Sequence, residues 1–332
     1  MNIDFNHSGT QQMPVREHGF DVIRSLAIIL VVLQHSWTML DLDLSVNSIQ
    51  HHVYSSLIYG VALFIMLSGA LNLRKPQPMM QFYRKRFTRI LLPFLIFGTM
   101  TYILSALMGK YDDVNDVLSG VKMYLPFMLT GKINEAYWFI YLISALYLIT
   151  PLMQRLFRGN GKVCRYVLIA AIVIWFLIEC IMPVSSPFSI FLYCGYYMVG
   201  VFLMRYLFKM NHRFTLLVGS LCFVVFFLYN VYVHSLGQSS FVAECGEICS
   251  MFVVLSKVKF STRILERISR YSYFMYLTHF IVIRLLYTFF PDAFPSSWIT
   301  PIYTTVIVIS LEYVLCRIMD GVGWVPKKIV GI

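Results

Sequence analysis

The sequence predicts an all-α integral membrane protein, a bundle of about ten transmembrane helices with both termini in the cytoplasm. Of the 332 residues, 58% are hydrophobic and only 13% are charged, and the mean hydropathy is +0.70. Soluble domains contain about 25% charged and about 45–50% apolar residues, so this composition excludes an ordinary soluble protein. The spacing of the apolar runs and the distribution of the basic residues support the same prediction.

The apolar runs are interpreted as membrane spans. A helix needs about 20 mainly apolar residues to cross a hydrocarbon core of about 30 Å. The chain offers ten runs near this length, separated by polar or basic segments. They lie at about 20–40, 53–73, 90–108, 137–154, 166–182, 188–204, 214–233, 241–256, 271–290 and 298–319.

The basic residues test this topology, because Lys and Arg concentrate in cytoplasmic segments. If the ten runs alternate across the membrane from a cytoplasmic N-terminus, 23 of the 27 lysines and arginines fall on the cytoplasmic side. Lys110, Lys122 and Lys132 fall on the opposite side, and Arg284 lies inside the ninth run. An error of one span would mix the two groups, so the split supports ten helices.

We predict one membrane domain, residues 19–320, between two cytoplasmic tails, 1–18 and 321–332. The longest connection, 109–136, is weakly apolar in its middle, so it either re-enters the membrane or lies on its surface. No heptad, solenoid repeat or Walker sequence divides the chain further.

Two other classes of function are disfavoured by the composition. The net charge of +11 could suggest a nucleic-acid partner, but in a membrane protein basic residues first report topology, so we expect none. Cys245 and Cys249 are one helical turn apart, yet no Cys-x-x-Cys pattern or histidine accompanies them. We therefore interpret all seven cysteines as small buried hydrophobic residues and expect no metal site.

Arg24 and His35 are ionisable residues embedded in the first run. Arg24 and His35 are eleven positions apart, a step that advances an α-helix by about 1100° and about 16 Å, so both lie on one face at different depths. A histidine can take a proton from a hydroxyl, and an arginine near the inner face suits a phosphate-bearing ligand. The structural alternatives are an interface anchor for Arg24 and an interhelical hydrogen bond for His35.

Five segments of the chain match the landmarks of one membrane-protein family. The first is an arginine, ten residues and a histidine, the spacing of Arg24 and His35. LFIMLSGAL, KRFTRILLPF, YWFIYLISALYLITPL and ISRYSYFMYLTHF follow in the same order and extend the match over most of the chain. Together they resemble the bacterial membrane acyltransferase-3 family, in particular its short branch, which includes O-acetyltransferases of surface polysaccharides. Ser25 departs from the glycine that many members have there.

The resemblance implies a multi-pass protein of the bacterial cytoplasmic (inner) membrane. It would move an acetyl or other short acyl group from cytoplasmic acyl-CoA, acetyl-CoA in the first instance, to a hydroxyl of a cell-surface glycan such as lipopolysaccharide, or of its lipid-linked precursor. Its partners would be acyl-CoA, the glycan acceptor and membrane lipids.

The resemblance also implies roles for particular residues. His35 would be the general base, with a transient acyl-histidine as the alternative. Arg24, Arg86 and Arg89 would bind the phosphates of acyl-CoA through charge-assisted hydrogen bonds. We interpret the neighbouring Arg84 as an anchor on the cytoplasmic side, and Lys85 likewise.

Three further residues are candidates for positioning the acceptor or the thioester. His279 lies near mid-membrane in the ninth run, where the family resemblance also places a histidine; it either positions a substrate or hydrogen-bonds a neighbouring helix. Trp138 is either an aromatic-belt residue or a stacking platform for a sugar ring. One of Glu179, Glu244 and Glu247 is expected to pair with Arg284, and the alternative for Glu247, together with Glu244, is to bind sugar hydroxyls.

A second function is compatible with the same residues. A transporter or flippase of a glycolipid or polysaccharide would also line its pathway with intramembrane histidine and arginine. No inverted repeat is visible in the sequence, which disfavours a secondary transporter. Acetyl-CoA separates the two hypotheses, because the transferase must bind it and the transporter has no use for it.

Overall fold

The computed structural model describes residues 18–40, 53–54, 59–73, 77–156, 162–181, 190–206 and 210–322. Every regular element in this part of the chain is a helix, and several helices are long and apolar enough to span a membrane, which confirms the predicted all-α membrane protein. The predicted tails lie outside the described residues, except that His18 and residues 321–322 belong to the terminal helices. The helices are α1 (His18–Thr38), α2 (Gly60–Asn72), α3 (Met79–Leu107), α4 (Val117–Thr130), α5 (Trp138–Leu156), α6 (Lys162–Ile181), α7 (Ile190–Tyr206), α8 (His212–Ser235), α9 (Phe241–Ser256), α10 (Arg263–Phe289) and α11 (Thr300–Val322).

Each of the ten predicted runs coincides with one of these helices over its described residues. Six helices meet the length and hydropathy of a membrane span: α1, α3, α5 with the 3₁₀ turn before it, α6, α8 and α11. Among the others, α2, α7 and α9 are shorter, and α10 begins with a charged segment. The ten-span topology stays a prediction.

The first helix lies at the centre of the described bundle. It packs against α2, α9, α10 and α11, which surround most of its circumference. Ile23, Ala27 and Val31 are buried, at the four-residue spacing that keeps side chains on one side of a helix. Three polar residues of α1, Asp21, Ser25 and Ser36, are buried by the surrounding helices as well.

Two hydrogen bonds show that α1 and α10 run parallel. Ser25 donates to the carbonyl of Leu265 at 2.7 Å, near the start of both helices. Tyr287 donates to the carbonyl of Ser36 at 2.9 Å, near the end of both helices. We call the end of the bundle at which α1 and α10 begin the arginine end, for the residues described below.

Glycine allows two other helices to approach at backbone distance. A Cβ atom on Gly69 of α2 would overlap the carbonyl of Tyr197 in α7, and one on Gly200 of α7 would overlap the carbonyl of Met66 in α2. Small residues of this kind bring membrane helices together, because packing rather than hydrophobic burial drives their association. Through this contact the LFIMLSGAL segment is held against α7.

The outer helices present apolar side chains to their surroundings, as a lipid-facing surface requires. On α8, Leu217 and Leu221 are mostly exposed, and Val306 and Ile318 are exposed on α11. In a soluble protein such continuous exposed apolar faces would mark binding surfaces. In a membrane protein they form the surface that contacts the hydrocarbon chains of the lipids.

The connection 109–136 contains a helix, α4, which its mixed and weakly apolar sequence does not predict. Asp116 caps it by accepting a 2.6 Å hydrogen bond from the Ser119 N–H, while the Ser119 hydroxyl accepts from the Asp116 N–H at 3.0 Å. Gly131 ends it in the left-handed conformation, with φ of 76°. Tyr102 of α3 holds the helix by donating to the Gly120 carbonyl at 2.7 Å.

Candidate functional site

A cavity of about 480 Å³ opens into the arginine end of the bundle. Its volume lies within the range of about 300–1,000 Å³ that is typical of small-molecule sites. Four arginines and two carboxylates contribute to its wall, and its inner part is lined by apolar and aromatic side chains. The lining residues are Asp21, Arg24, Phe64, Leu67, Ser68, Leu71, Asn72, Arg86, Arg89, Ile90, Phe139, Ile143, Tyr147, Glu266, Ser269, Arg270, Ser272, Tyr273 and Tyr276.

Arg24 reaches this cavity from α1. Its guanidinium lies 3.8 Å from the carboxylate of Asp21, one turn earlier, at the outer limit of an ion pair. Asp21 is buried and accepts a 2.7 Å hydrogen bond from Ser269 of α10. The carboxylate is thus shared between two helices, and Arg24 keeps donors for a further partner.

Arg86 is held by a polar network between α2, α3 and α5. It donates to the side-chain carbonyl of Asn72, whose amide donates to Ser68 at 3.1 Å, and Ser68 shares a 2.9 Å hydrogen bond with Tyr147. The guanidinium also lies over the Tyr147 ring, 5.4 Å from its centroid. These contacts hold the Arg86 side chain against the cavity wall.

Arg89 lies in a π-helical turn, Phe87–Leu91, within α3. Pro93 explains the turn, since proline has no N–H to donate to the carbonyl of Arg89, four residues earlier, and its ring crowds that carbonyl. The backbone widens, and the Leu92 N–H bonds to the carbonyl of Phe87, five residues back. The proline in the KRFTRILLPF segment therefore produces a π-helical turn beside the cavity, and this turn contains Arg89.

Arg270 of α10 lines the cavity, although in the sequence it is only one of the basic residues that indicate the topology. Nothing in its local sequence separates it from Arg263 and Arg267, which also precede the apolar part of α10. With Arg24, Arg86 and Arg89 it gives the cavity more cationic than anionic groups. Like charges enclosed in a poorly screened space repel one another, so the cavity favours an anionic ligand.

Aromatic rings extend from the cavity toward the middle of the bundle. Phe139 of α5 packs edge-on against Tyr276 of α10, with ring centroids 5.1 Å apart, and both rings line the inner part of the cavity. The Tyr276 ring centroid lies 5.7 Å from that of His279, one helical turn further along α10. A single layer of aromatic side chains therefore separates the arginine cavity from His279.

The two histidines identified in the sequence are neighbours. The ring centroids of His35 and His279 are 5.2 Å apart, and the His35 ring also contacts Phe280 edge-on at 5.5 Å. His279 is completely buried, whereas His35 is half-buried. Arg24 and His35 thus both face α10, as their eleven-residue spacing predicts, with the arginine beside the cavity and the histidine beyond it.

The other two candidates lie elsewhere. The Trp138 ring packs on Tyr193 of α7, with centroids 5.4 Å apart, and it does not line the arginine cavity. Glu247 is completely buried and accepts a 2.9 Å hydrogen bond from Asn230, which also donates to Tyr59 at 2.6 Å. Neither geometry brings these residues to the histidine pair.

One comparison with known proteins gives a match, and it covers the region that contains the site. The family model of an acyltransferase domain, that of the acyltransferase-3 family, matches residues 17–316. No curated protein and no solved structure matches the chain significantly. The matched region begins at the start of α1 and reaches into α11, and it includes every residue of the arginine cavity and both histidines. The protein is therefore a multi-pass membrane acyltransferase that belongs to the acyltransferase-3 family.

Proposed function

We propose that the protein is an acyl-CoA-dependent O-acyltransferase that places an acetyl or other short acyl group on a hydroxyl of a cell-surface glycan or of its lipid-linked precursor. The observation that carries this proposal is the arrangement of four arginines around one cavity whose aromatic inner end adjoins a histidine pair. The family membership favours this reading over a transporter.

The arginine cavity suits the donor. CoA carries several phosphate groups, and arginine binds phosphate through parallel charge-assisted hydrogen bonds. Arg24, Arg89 and Arg270 come from three different helices, so a phosphate between them would satisfy charges that otherwise repel. The cavity would hold the phosphates at its mouth and the pantetheine arm along its apolar inner part.

The histidine pair suits the transfer step. The acceptor oxygen attacks the thioester carbonyl carbon, a C–O bond forms, the C–S bond breaks, and the hydroxyl proton ends on the sulfur. His35 is half-buried and therefore accessible to an acceptor, so we assign it as the general base that takes this proton. The reaction consumes no net proton.

The direction of transfer follows from the charge distribution in the sequence. If the arginine end faces the cytoplasm, as the excess of basic residues on that side predicts, the cavity opens to the compartment that contains CoA. His35 then lies further into the membrane, toward the outer side, where a glycan or its lipid-linked precursor is presented. We propose the bacterial inner membrane as the location.

The test is acetyl transfer by protein in membranes. Vesicles that contain the wild-type chain and a crude glycolipid acceptor are given radiolabelled acetyl-CoA, and label that is released by mild base is measured as O-acetyl ester. His35→Ala should abolish the label while the protein stays membrane-inserted and is still stabilised by CoA. Full transfer by the His35→Ala protein would remove the assignment of the base, and indifference of the wild-type chain to CoA would support the transporter.

A further inference from the structure

We infer that His279 is a second imidazole of the transfer centre, which accepts a proton from His35 and returns it to the departing thiolate. This inference rests on the proposed function and names a residue that carries protons between the acceptor side and the donor side. Three features of the described residues support it: the tautomer of His279, its position, and the groups that face it.

The hydrogen bonding of His279 determines its tautomer. Its Nδ1 lies 3.1 Å from the backbone carbonyl of Met275, and because a carbonyl can only accept, Nδ1 must carry the hydrogen. Nε2 then carries no hydrogen, and its lone pair can accept a hydrogen bond. The residue is completely buried, and Nε2 has no hydrogen-bond partner among the described residues. A buried acceptor without a partner lowers stability, so it calls for an explanation beyond packing.

The position of His279 places it between the two substrates of the proposed reaction. On one side Tyr276 separates it from the arginine cavity, with ring centroids 5.7 Å apart. On the other side is the half-buried ring of His35, at 5.2 Å. A thioester that displaced the Tyr276 side chain from the inner end of the cavity would meet His279 before it met His35.

The groups around His279 leave His35 as its proton partner. From its own helix it faces Tyr276, whose hydroxyl is occupied as donor to the carbonyl of Ala136. From α11, Glu312 accepts a 2.6 Å hydrogen bond from the hydroxyl of Thr278, the position before His279. Its second carboxyl oxygen has no partner among the described residues, and it makes no hydrogen bond to His279. From α1 it faces the imidazole of His35. Among the described residues no charged side chain contacts its ring.

A purely structural role would explain the hydrogen bond of Nδ1 but not the bare Nε2. In the proposed step, His35 takes the hydroxyl proton of the acceptor as the C–O bond forms. The proton passes from His35 to Nε2 of His279, and from there to the thiolate as the C–S bond breaks. Both imidazoles return to their starting state, so atoms and charge balance over one turnover.

Two substitutions at His279 distinguish a proton carrier from a structural residue. His279→Asn keeps an N–H close to the position of Nδ1, so the bond to Met275 is retained while Nε2 is lost. His279→Gln places an amide near Nε2 but cannot carry a proton. We expect both variants to bind CoA within about threefold of wild type, and kcat for transfer to fall by about 100-fold or more, the usual contribution of a general acid–base group. His234→Gln, at a histidine outside the cavity and the pair, is the matched control and should retain activity.

The double variant His35→Gln/His279→Gln tests whether the two rings act together. Residues that act as one unit show losses that do not multiply, so the double variant should be no slower than His35→Gln. Transfer restored to wild-type rate in His279→Asn would show that the Met275 bond is the whole role, and losses that multiply in the double variant would show independent roles. Either result would overturn the inference. If instead the wild-type chain neither binds CoA nor transfers acetyl, the proposed function itself fails, which is a different outcome.

The tautomer provides a readout that does not depend on activity. In protein labelled with ¹⁵N-histidine, the His279 signal, assigned by its loss in His279→Asn, should show a protonated Nδ1 and an unprotonated Nε2. A protonated Nε2 in the resting protein would contradict the inference, because the proposed acceptor position would then be occupied.

Discussion

Arg89→Gln is the most direct test of whether the arginine cavity binds CoA, because the Arg89 side chain lines the cavity without stabilising its wall. Arg89 lines the cavity, and no hydrogen bond or ion pair joins its guanidinium to another described residue. Arg86, by contrast, is bonded to Asn72 and stacked on Tyr147, so its loss would disturb the wall as well as the charge. Glutamine keeps part of the length and polarity of arginine and removes the charge.

The expected loss of CoA affinity in Arg89→Gln can be calculated from the type of interaction that is lost. A hydrogen bond to a charged group contributes about 1.5–3 kcal/mol. At about 1.4 kcal/mol per tenfold change in affinity, Arg89→Gln should raise the Kd for CoA about 10- to 150-fold. The ligand-free protein should be no less stable, because removing one cation relieves repulsion with Arg24 and Arg86.

The assay measures CoA binding to protein in lipid nanodiscs. Calorimetric titration gives the Kd, and thermal unfolding with and without CoA gives the stabilisation, both at low and at high salt. Arg84→Gln is the matched control, since Arg84 lies on the same helix and is exposed but does not line the cavity. The control should bind CoA as wild type does, and the affinity of Arg89→Gln should depend less on salt. Equal losses in the two variants, or an unchanged Kd in Arg89→Gln, would refute the assignment of this cavity to CoA.

Two further predictions concern the fold. Gly200→Ala forces a Cβ onto the Met66 carbonyl, so the free energy of unfolding should fall by about 1–3 kcal/mol, whereas Gly321→Ala enters open space and should leave the thermal midpoint unchanged or higher. The N–H and hydroxyl of Ser119 hold the pKa of the Asp116 carboxyl below its ordinary value, so its stabilisation of α4 is present above the ordinary pKa and is lost as pH falls through the lowered one. The protection of α4 amides, measured as the hydrogen-exchange rate relative to the intrinsic rate at each pH, should therefore fall at low pH in the wild type but not in Asp116→Ala, whose α4 should be less protected already at neutral pH; identical protection profiles would contradict the capping role.

The helical architecture could be predicted from the sequence because each span is specified locally. A run of apolar residues must form its backbone hydrogen bonds within itself once water is excluded, so its length and hydropathy suffice to predict a helix. The α4 helix could not be predicted, since a short helix is specified by its caps and the capping pair of Asp116 and Ser119 is a weak signal inside a mixed segment. The shared face of Arg24 and His35 could also be predicted, because helical periodicity fixes direction along one element.

The tertiary structure decided which helices pack together, and therefore which of their side chains come into contact. That His35 touches His279 depends on the parallel packing of α1 and α10, and local spacing cannot specify a contact between residues 244 positions apart. Arg270 joins the other arginines for the same reason, although its local sequence resembles that of Arg263. By itself the sequence determined the membrane setting, the helices and the residues able to do chemistry, since these depend on composition and local spacing. Only the packed bundle decided which of them share a cavity, since contacts between distant helices depend on close backbone approach at positions such as Gly69 and Gly200.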